Sequence, residues 1–179
     1  MKATGIVRRI DDLGRVVIPK EIRRTMRIRE GDPLEIYTNK DGEVIFKKYS
    51  PIGELNENAM QFCEILYKAT GVPCVITDRD RIVSVSGGSK KELIDRKISS
   101  ELEEYLESRQ SYTFEMGGKE LKLLESPDKV VLVMAPIIAA GDILGSVIFL
   151  SEEGKKRATE AEVKLASVIS SFLSRQLEA

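Results

Sequence analysis

At 179 residues, 42% hydrophobic and 32% charged, the chain has the composition of a folded soluble protein of one ordinary domain or two small ones, which excludes fibrous and wholly disordered classes. Two cysteines, Cys63 and Cys74, and no histidine exclude a disulfide framework and a CxxC metal knuckle, and remove the commonest general base and metal ligand. No apolar run approaches the roughly 20 residues that cross a bilayer, and "MKATGIVRRIDD" lacks the apolar core of a secretory signal, so no membrane association and a cytoplasmic location are expected.

The net charge of −1 conceals a polarity. Residues 1–50 carry twelve Lys/Arg against eight Asp/Glu, a net of +4, which leaves −5 for the rest. Nine of those cations fall between Lys2 and Arg29, where they meet only Asp11, Asp12 and Glu21. A small basic head on a larger acidic body points to a polyanion-binding unit and a separate partner domain. The boundary is expected in "KKYSPIGELNEN", where Ser50, Pro51 and Gly53 break the pattern. The division is therefore a head at 1–50, a linker at 51–55 and a body at 56–179.

In the head, apolar or alternating runs predict strands at 4–10, 15–18, 34–38 and 44–47. "DDLGR" and Asp41-Gly42 are turn signals, since glycine supplies positive φ cheaply. Pro19 ends the second run and suits the first turn of a helix, where its missing N–H costs nothing. A helix over 20–27 follows, with Ile22 and Met26 turned inward and Arg23, Arg24 and Arg27 on its surface. So short a helix is marginal alone, and about 50 residues bury little, so a core shared between two chains is expected. Two-fold repetition would present the cations to a duplex twice. Arginine pairs bidentately with phosphate or with guanine, which makes double-stranded DNA the expected polyanion, against the alternatives of a plain solvated face or an anionic protein.

The run "KATGIVRRIDDLGRVVIPKEIRRTMRIREGDPLEIYTNKDGEVIFKKY" resembles the DNA-binding domain of the AbrB-type transition-state regulators, whose motif has the form "LGRVVIPKEIRR". The resemblance implies a swapped-hairpin β-barrel built by two interleaved chains, and DNA binding through arginines matching Arg8, Arg15, Arg23 and Arg24. The charge pattern adds Arg9, Lys20 and, more weakly, Lys2.

In the body, Leu55, Ala59, Phe62, Leu66 and Ala69 form one helical stripe closed by Gly71 and Pro73. "PCVITDRDRIVSVSG" reads as two strands about a turn at 78–80. Ser89 and Glu92 have capping-box spacing and open a helical stretch broken near 98–100. Strands are expected again at 111–115 and 121–124. "VVLVMAPIIAAGDILGSVIFLS" is a hairpin turning at 140–142, and Thr159 with Glu162 opens a last helix carrying Leu165, Val168, Ile169, Phe172 and Leu177. This order resembles a GAF domain, an antiparallel sheet with flanking helices, so the fold class is α+β. Head and body together resemble the two-part sporulation regulators of endospore-forming bacteria. That resemblance implies a transcription factor that activates and represses late sporulation genes.

Helices 55–70 and 160–177 can cover the sheet alone, or also meet the same helices of another chain and convert a dimer through 1–50 into a tetramer. GAF domains often enclose a small ligand, so an unidentified small-molecule partner fits the resemblance. "SGGSKK" offers N–H groups to an anion, but also reads as a turn and helix start, and no phosphate-binding glycine motif accompanies it. No cofactor or metal is expected. Two other classes compete. An antitoxin-type autoregulator with a protein partner shares the head, but would follow it with a flexible tail rather than about 125 patterned residues. An enzyme would need a nucleophile and base or paired carboxylates, and Asp78 and Asp80 are better explained by turn chemistry.

Overall fold

A computed structural model describes residues 4–115, 118–125, 129–151 and 157–178, the side chains of Glu54 and Asn56 excepted. The chain divides into two compact units, Met1–Tyr49 and Ser50–Ala179.

In the first unit, α1 (Lys20–Met26) follows Pro19, and β1 (Leu34–Thr38) pairs antiparallel with β2 (Val44–Lys48) in the register Leu34↔Lys48 to Thr38↔Val44. The connection is organised by Asn39, whose Oδ1 accepts the N–H groups of Asp41 (3.1 Å) and Glu43 (2.9 Å), with Gly42 at φ 79°. This is a wider turn than the two-residue one expected at Asp41-Gly42. The strands expected at 4–10 and 15–18 are not formed, and one chain does not close a barrel. A strand needs a neighbour for its N–H and C=O groups, and among the described residues no strand pairs with those segments. Most of their apolar side chains stay in solvent: Val7 is 85% exposed, Ile10 69% and Val17 72%, while Ile18 is half-buried. Helix α1 buries no residue; Ile22 is half-buried, and Met26, expected inside, is exposed.

In the second unit, residues 51–55, read from sequence as a linker, hold α2 (Pro51–Glu54), capped by Ser50, whose Oγ accepts the Gly53 N–H at 3.1 Å. Then come α3 (Asn56–Thr70), β3 (Cys74–Asp78), β4 (Ile82–Ser86), α4 (Lys90–Leu93), α5 (Ser100–Glu107), β5 (Tyr112–Thr113), β6 (Val131–Ala139), β7 (Asp142–Leu150) and α6 (Glu160–Leu177). The five strands form one antiparallel sheet in the order β4-β3-β7-β6-β5. Helices α3 and α6 cover one face, over Cys74, Ile76, Val133, Ala135, Val147 and Phe149. The other face packs Val75, Met134 and Ile148 against Leu102 and Leu106 of α5 and against Leu121, Leu123 and Leu124. A sheet covered on both faces explains why β6 and β7 are nearly continuous apolar runs. Leu121–Leu124 is buried as expected of a strand but forms only an isolated bridge, Lys122↔Val130. Three of its four side chains point inward, which a period-two strand cannot do.

The helix expected after Ser89 is split. Ser89 occupies the N-cap position of four-residue α4 without a side-chain cap bond, and Asp95 at φ 62° turns the chain before Ser99 caps α5 by accepting the Leu102 N–H at 3.0 Å. The Thr159–Glu162 capping box forms as expected. Helix α6 is turned only in part from its predicted face: Leu165, Ile169 and Leu177 pack half-buried against the core as expected. Glu162, Ala166, Ser170 and Leu173 are buried, while Val168 (61% exposed) and Phe172 (45%) face outward. Ser170 Oγ donates to the Pro136 carbonyl and Ser174 Oγ accepts the Ile138 N–H at 3.1 Å, so two hydroxyls fasten α6 to β6. Phe62 of α3 meets Phe172 edge to face at 5.2 Å between ring centres. Ala69, placed on the α3 stripe, is exposed.

Candidate nucleic-acid interface

Arg23 and Arg24 are set by the geometry of α1. Pro19 accepts the Arg23 N–H at 2.9 Å, and the helix ends with Arg27 in the left-handed region at φ 53°. There the Arg27 N–H donates to Arg24 O (3.2 Å) and the Ile28 N–H to Arg23 O (2.7 Å), the paired bonds of a Schellman ending. A non-glycine residue in that conformation costs roughly 1 kcal/mol, and long-range bonds hold it. Lys48 Nζ donates to Arg27 O at 2.8 Å and lies 3.7 Å from Asp32, whose Oδ2 also accepts the Arg29 N–H at 2.8 Å. The hairpin therefore clamps the end of the helix, and Lys48 is spent on structure.

All six cations singled out from sequence, Arg8, Arg9, Arg15, Lys20, Arg23 and Arg24, are exposed in the single chain. Among the described residues, no salt bridge engages Arg8, Arg9, Lys20, Arg23 or Arg24. Arg8 makes one long contact, Nη1 to Val7 O at 3.5 Å. Arg15 is held: its Nε donates to Asp11 Oδ2 at 2.8 Å across the loop 11–15. Lys2 lies outside the described residues. Unpaired guanidinium groups on a unit of net +4 retain their full capacity to neutralise a polyanion and to release its counterions.

Residues of the second unit that invited a chemical reading have structural roles. Asp78 Oδ1 accepts the N–H groups of Asp80 (2.8 Å) and Arg81 (2.7 Å), and its Oδ2 accepts from Ser50 Oγ (3.0 Å). It closes the β3–β4 turn, as the turn expected at 78–80 implied, and steadies α2 through Ser50, which the sequence did not signal. Cys63 and Cys74 are free and buried together; a hydrogen bond with Cys63, then burial, raises the Cys74 thiol well above its ordinary value. In "SGGSKK", Gly87 at φ 77° leaves room for the Tyr67 ring, which an added Cβ would meet at 2.5 Å. A surface groove of about 450 Å³ is lined by Glu101, Glu104, Tyr105, Tyr112 and Lys119, with Tyr105 and Tyr112 edge to face at 5.4 Å. No described helix is long and apolar enough to cross a membrane.

A basic head with exposed arginines and an antiparallel sheet covered by helices make a two-part chain. Residues 54–178 match the family described as stage V sporulation protein T C-terminal, transcription factor, and residues 7–53 match the MazE antitoxin family, antidote-toxin recognition. Over 180 aligned residues, 99% of each chain, the sequence is 49% identical to stage V sporulation protein T of Bacillus subtilis. The chain belongs to the stage V sporulation protein T family of transcription factors. Its head is 63% identical over 51 residues to the transition state regulatory protein AbrB of the same organism, covering 28% of this chain and 52% of that one, and the N-terminal part of AbrB is a DNA recognition domain. The body shares its fold with the cyanobacteriochrome receptor PixJ (TM-score 0.54, 15% identity, 72% of this chain and 98% of that one).

Proposed function

We propose that this transcription factor acts in the cytoplasm by binding double-stranded DNA through Arg8, Arg15, Arg23 and Arg24, with Arg9 and Lys20 as flanking phosphate contacts, to activate and repress late sporulation genes. The observation that carries the reading is that these cations stand exposed and almost unpaired on the one basic part of an otherwise acidic chain. The head reaches its working form as an interleaved dimer through residues 1–50. Support comes from Val7, Ile10, Leu13, Val17, Ile36, Val44 and Met26, all 56–85% exposed in one chain. That is more apolar surface than a stable monomer carries there, and a second copy with the same unpaired strands is self-complementary to it. The outward faces of helices 55–70 and 160–177, with Ile65, Val168 and Phe172, are the corresponding second contact, giving a tetramer with two DNA-binding heads. The functional division follows the same boundary, residues 1–50 binding DNA and 56–179 serving assembly, with 51–55 packing on the body as α2 rather than linking the two. A sensor ligand entering between sheet and α5 would have to displace Leu121, Leu123 and Leu124, and the reading assigns none; a metabolite panel that raised the melting temperature would revise that.

Fluorescence anisotropy of the full chain on labelled duplex, from about 50 to 200 mM salt, tests the reading: each phosphate contact contributes a slope of roughly 0.9 in log K against log salt. Arg24→Ala is expected to weaken binding and flatten the slope by about one contact with an unchanged melting temperature. Unaltered affinity removes Arg24 from the interface. The antitoxin match over 7–53 supports a second reading, an autoregulator held by a protein partner, which absent DNA binding by the full chain would favour.

A further inference from the structure

One carboxylate closes the loop 11–15. Asp11 Oδ1 accepts the backbone N–H groups of Leu13 (3.0 Å) and Arg15 (2.7 Å), and its Oδ2 accepts from Arg15 Nε (2.8 Å). The Asp11 N–H donates to Arg15 O (3.0 Å) and the Gly14 N–H to Asp11 O (3.0 Å), with Gly14 at φ 78°. A guanidinium has five N–H donors in a rigid fork. Asp11 takes the Nε donor, and Arg15 remains 71% exposed at its side chain. Fastened at Nε, the fork has its outer edge aimed, where a free arginine would have to lose its rotamer freedom on meeting DNA. The neighbouring Asp12 is also exposed, and among the described residues no hydrogen bond or salt bridge engages it.

An acidic side chain among DNA-facing cations has an electrostatic cost, since within a Debye length it repels phosphate. We propose that Asp11 is a positioning residue for DNA recognition, orienting the outer N–H edge of Arg15 toward the duplex, and that this orientation outweighs its repulsion of phosphate. The proposal rests on the reading of Arg15 as a DNA contact. The Asp11 carboxyl is held below its ordinary range, first by the Arg15 backbone N–H and then by its guanidinium, so it stays ionised through the neutral range.

The sign of the effect separates positioning from charge. Asp12→Asn and Asp11→Asn remove the same charge one residue apart. Simple electrostatics predicts that both tighten binding. Positioning predicts that only Asp12→Asn does so, because an asparagine at 11 keeps the acceptor for the loop N–H groups but sets an amide donor against Nε. The measurement is anisotropy of the full chain on a duplex enriched from a randomised pool by the wild-type protein, and on a scrambled duplex. Asp11→Asn is expected to weaken the selected duplex about fivefold, roughly 1 kcal/mol, with little change on the scrambled one. In an Arg15→Ala background, with nothing left to orient, it should no longer weaken binding and should tighten it as Asp12→Asn does. A folding loss would be felt in both backgrounds, so the cycle decides even if melting changes. Asp11→Asn binding as tightly as Asp12→Asn, while Arg15→Ala weakens, overturns the positioning and leaves the DNA reading intact. Arg15→Ala binding like wild type overturns both.

Discussion

Gly145→Ala tests whether α2 belongs to the body rather than hanging between two domains. A Cβ at 145 would lie 1.9 Å from the Thr77 carbonyl oxygen, 2.6 Å from Ile52 Cδ1 and 2.9 Å from Asp78 Cα. Two of these are backbone atoms that no rotamer change can move. Restoring an ordinary carbon–oxygen separation of about 3.3 Å means parting β3 from β7 by more than an ångström at the Thr77↔Ser146 and Asp78↔Gly145 pairs. That loses roughly two backbone hydrogen bonds at about 1 kcal/mol each. It also strains the buried Thr77–Ser146 hydroxyl pair at 2.7 Å. Ile52, 0% exposed, is partly unseated, and full burial of such a side chain contributes about 1.5–3 kcal/mol. The sum is about 4 kcal/mol, or a fall in the body's melting temperature of roughly 15 °C for a domain of this size. The control is Gly141→Ala, where φ is 84° but nothing lies within 4 Å, so the cost is conformational strain alone, about 1 kcal/mol. Differential scanning calorimetry of the full chain reads both. If Gly145→Ala melts no lower than Gly141→Ala, the close packing of α2 over this glycine is refuted.

Val17→Asp, at a position 72% exposed in one chain, is expected to leave the body's melting unchanged yet break the contact between heads, reducing the tetramer to dimers held through the body and abolishing DNA binding; an undiminished tetramer in light scattering at micromolar concentration would count against the shared core. Val168→Glu should halve the assembled mass while keeping DNA-binding dimers, and an undiminished tetramer would move the second contact elsewhere. Cys63 and Cys74 should react with a disulfide reagent only in denaturant, because both are buried and Cys74 is held protonated by its hydrogen bond with Cys63; fast labelling of the folded chain would contradict this. Burial holds Tyr112 neutral above its ordinary value. A raised folded pKa contributes stability that is present below the unfolded value of about 10 and lost as pH rises through the folded one. Tyr112→Phe should therefore flatten the decline of melting temperature between about pH 9 and pH 11; an equally steep decline would assign it to other groups.

Local chemistry makes part of this structure legible in the sequence. Pro19 marked the start of α1, Thr159 and Glu162 marked α6, and Ala140-Gly141 marked the β6–β7 turn, because each feature is decided within four residues. What could not be read depends on neighbours distant in sequence. Which face of α6 meets the sheet follows from Ser170 and Ser174 finding backbone groups of β6, and hydrophobicity alone favoured Val168 and Phe172. Leu121, Leu123 and Leu124 looked like a strand because apolar runs do not reveal whether a ladder partner is present. The strands expected at 4–10 and 15–18 lack one for the same reason, within a single chain. Of the candidate interface, the cations were legible as charge. The Asp11 bonds around Arg15 were not, since "DDLGR" reads equally well as a turn.

Besides Glu162 and Leu173, helix α6 turns the small Ala166 and Ser170 inward, and it turns the bulky Val168 and Phe172 outward. Substitution should consequently follow an inverted rule along it. Enlarging Ala166 or Ser170, both buried against the sheet, carries the cost of overpacking, whereas the outer, oilier positions can drift as long as whatever covers them drifts in step. Related chains would then keep alanine and serine at 166 and 170 while trading one large apolar residue for another at 168 and 172, so the conspicuous hydrophobes of this helix would record partner choice and the inconspicuous ones would record the fold.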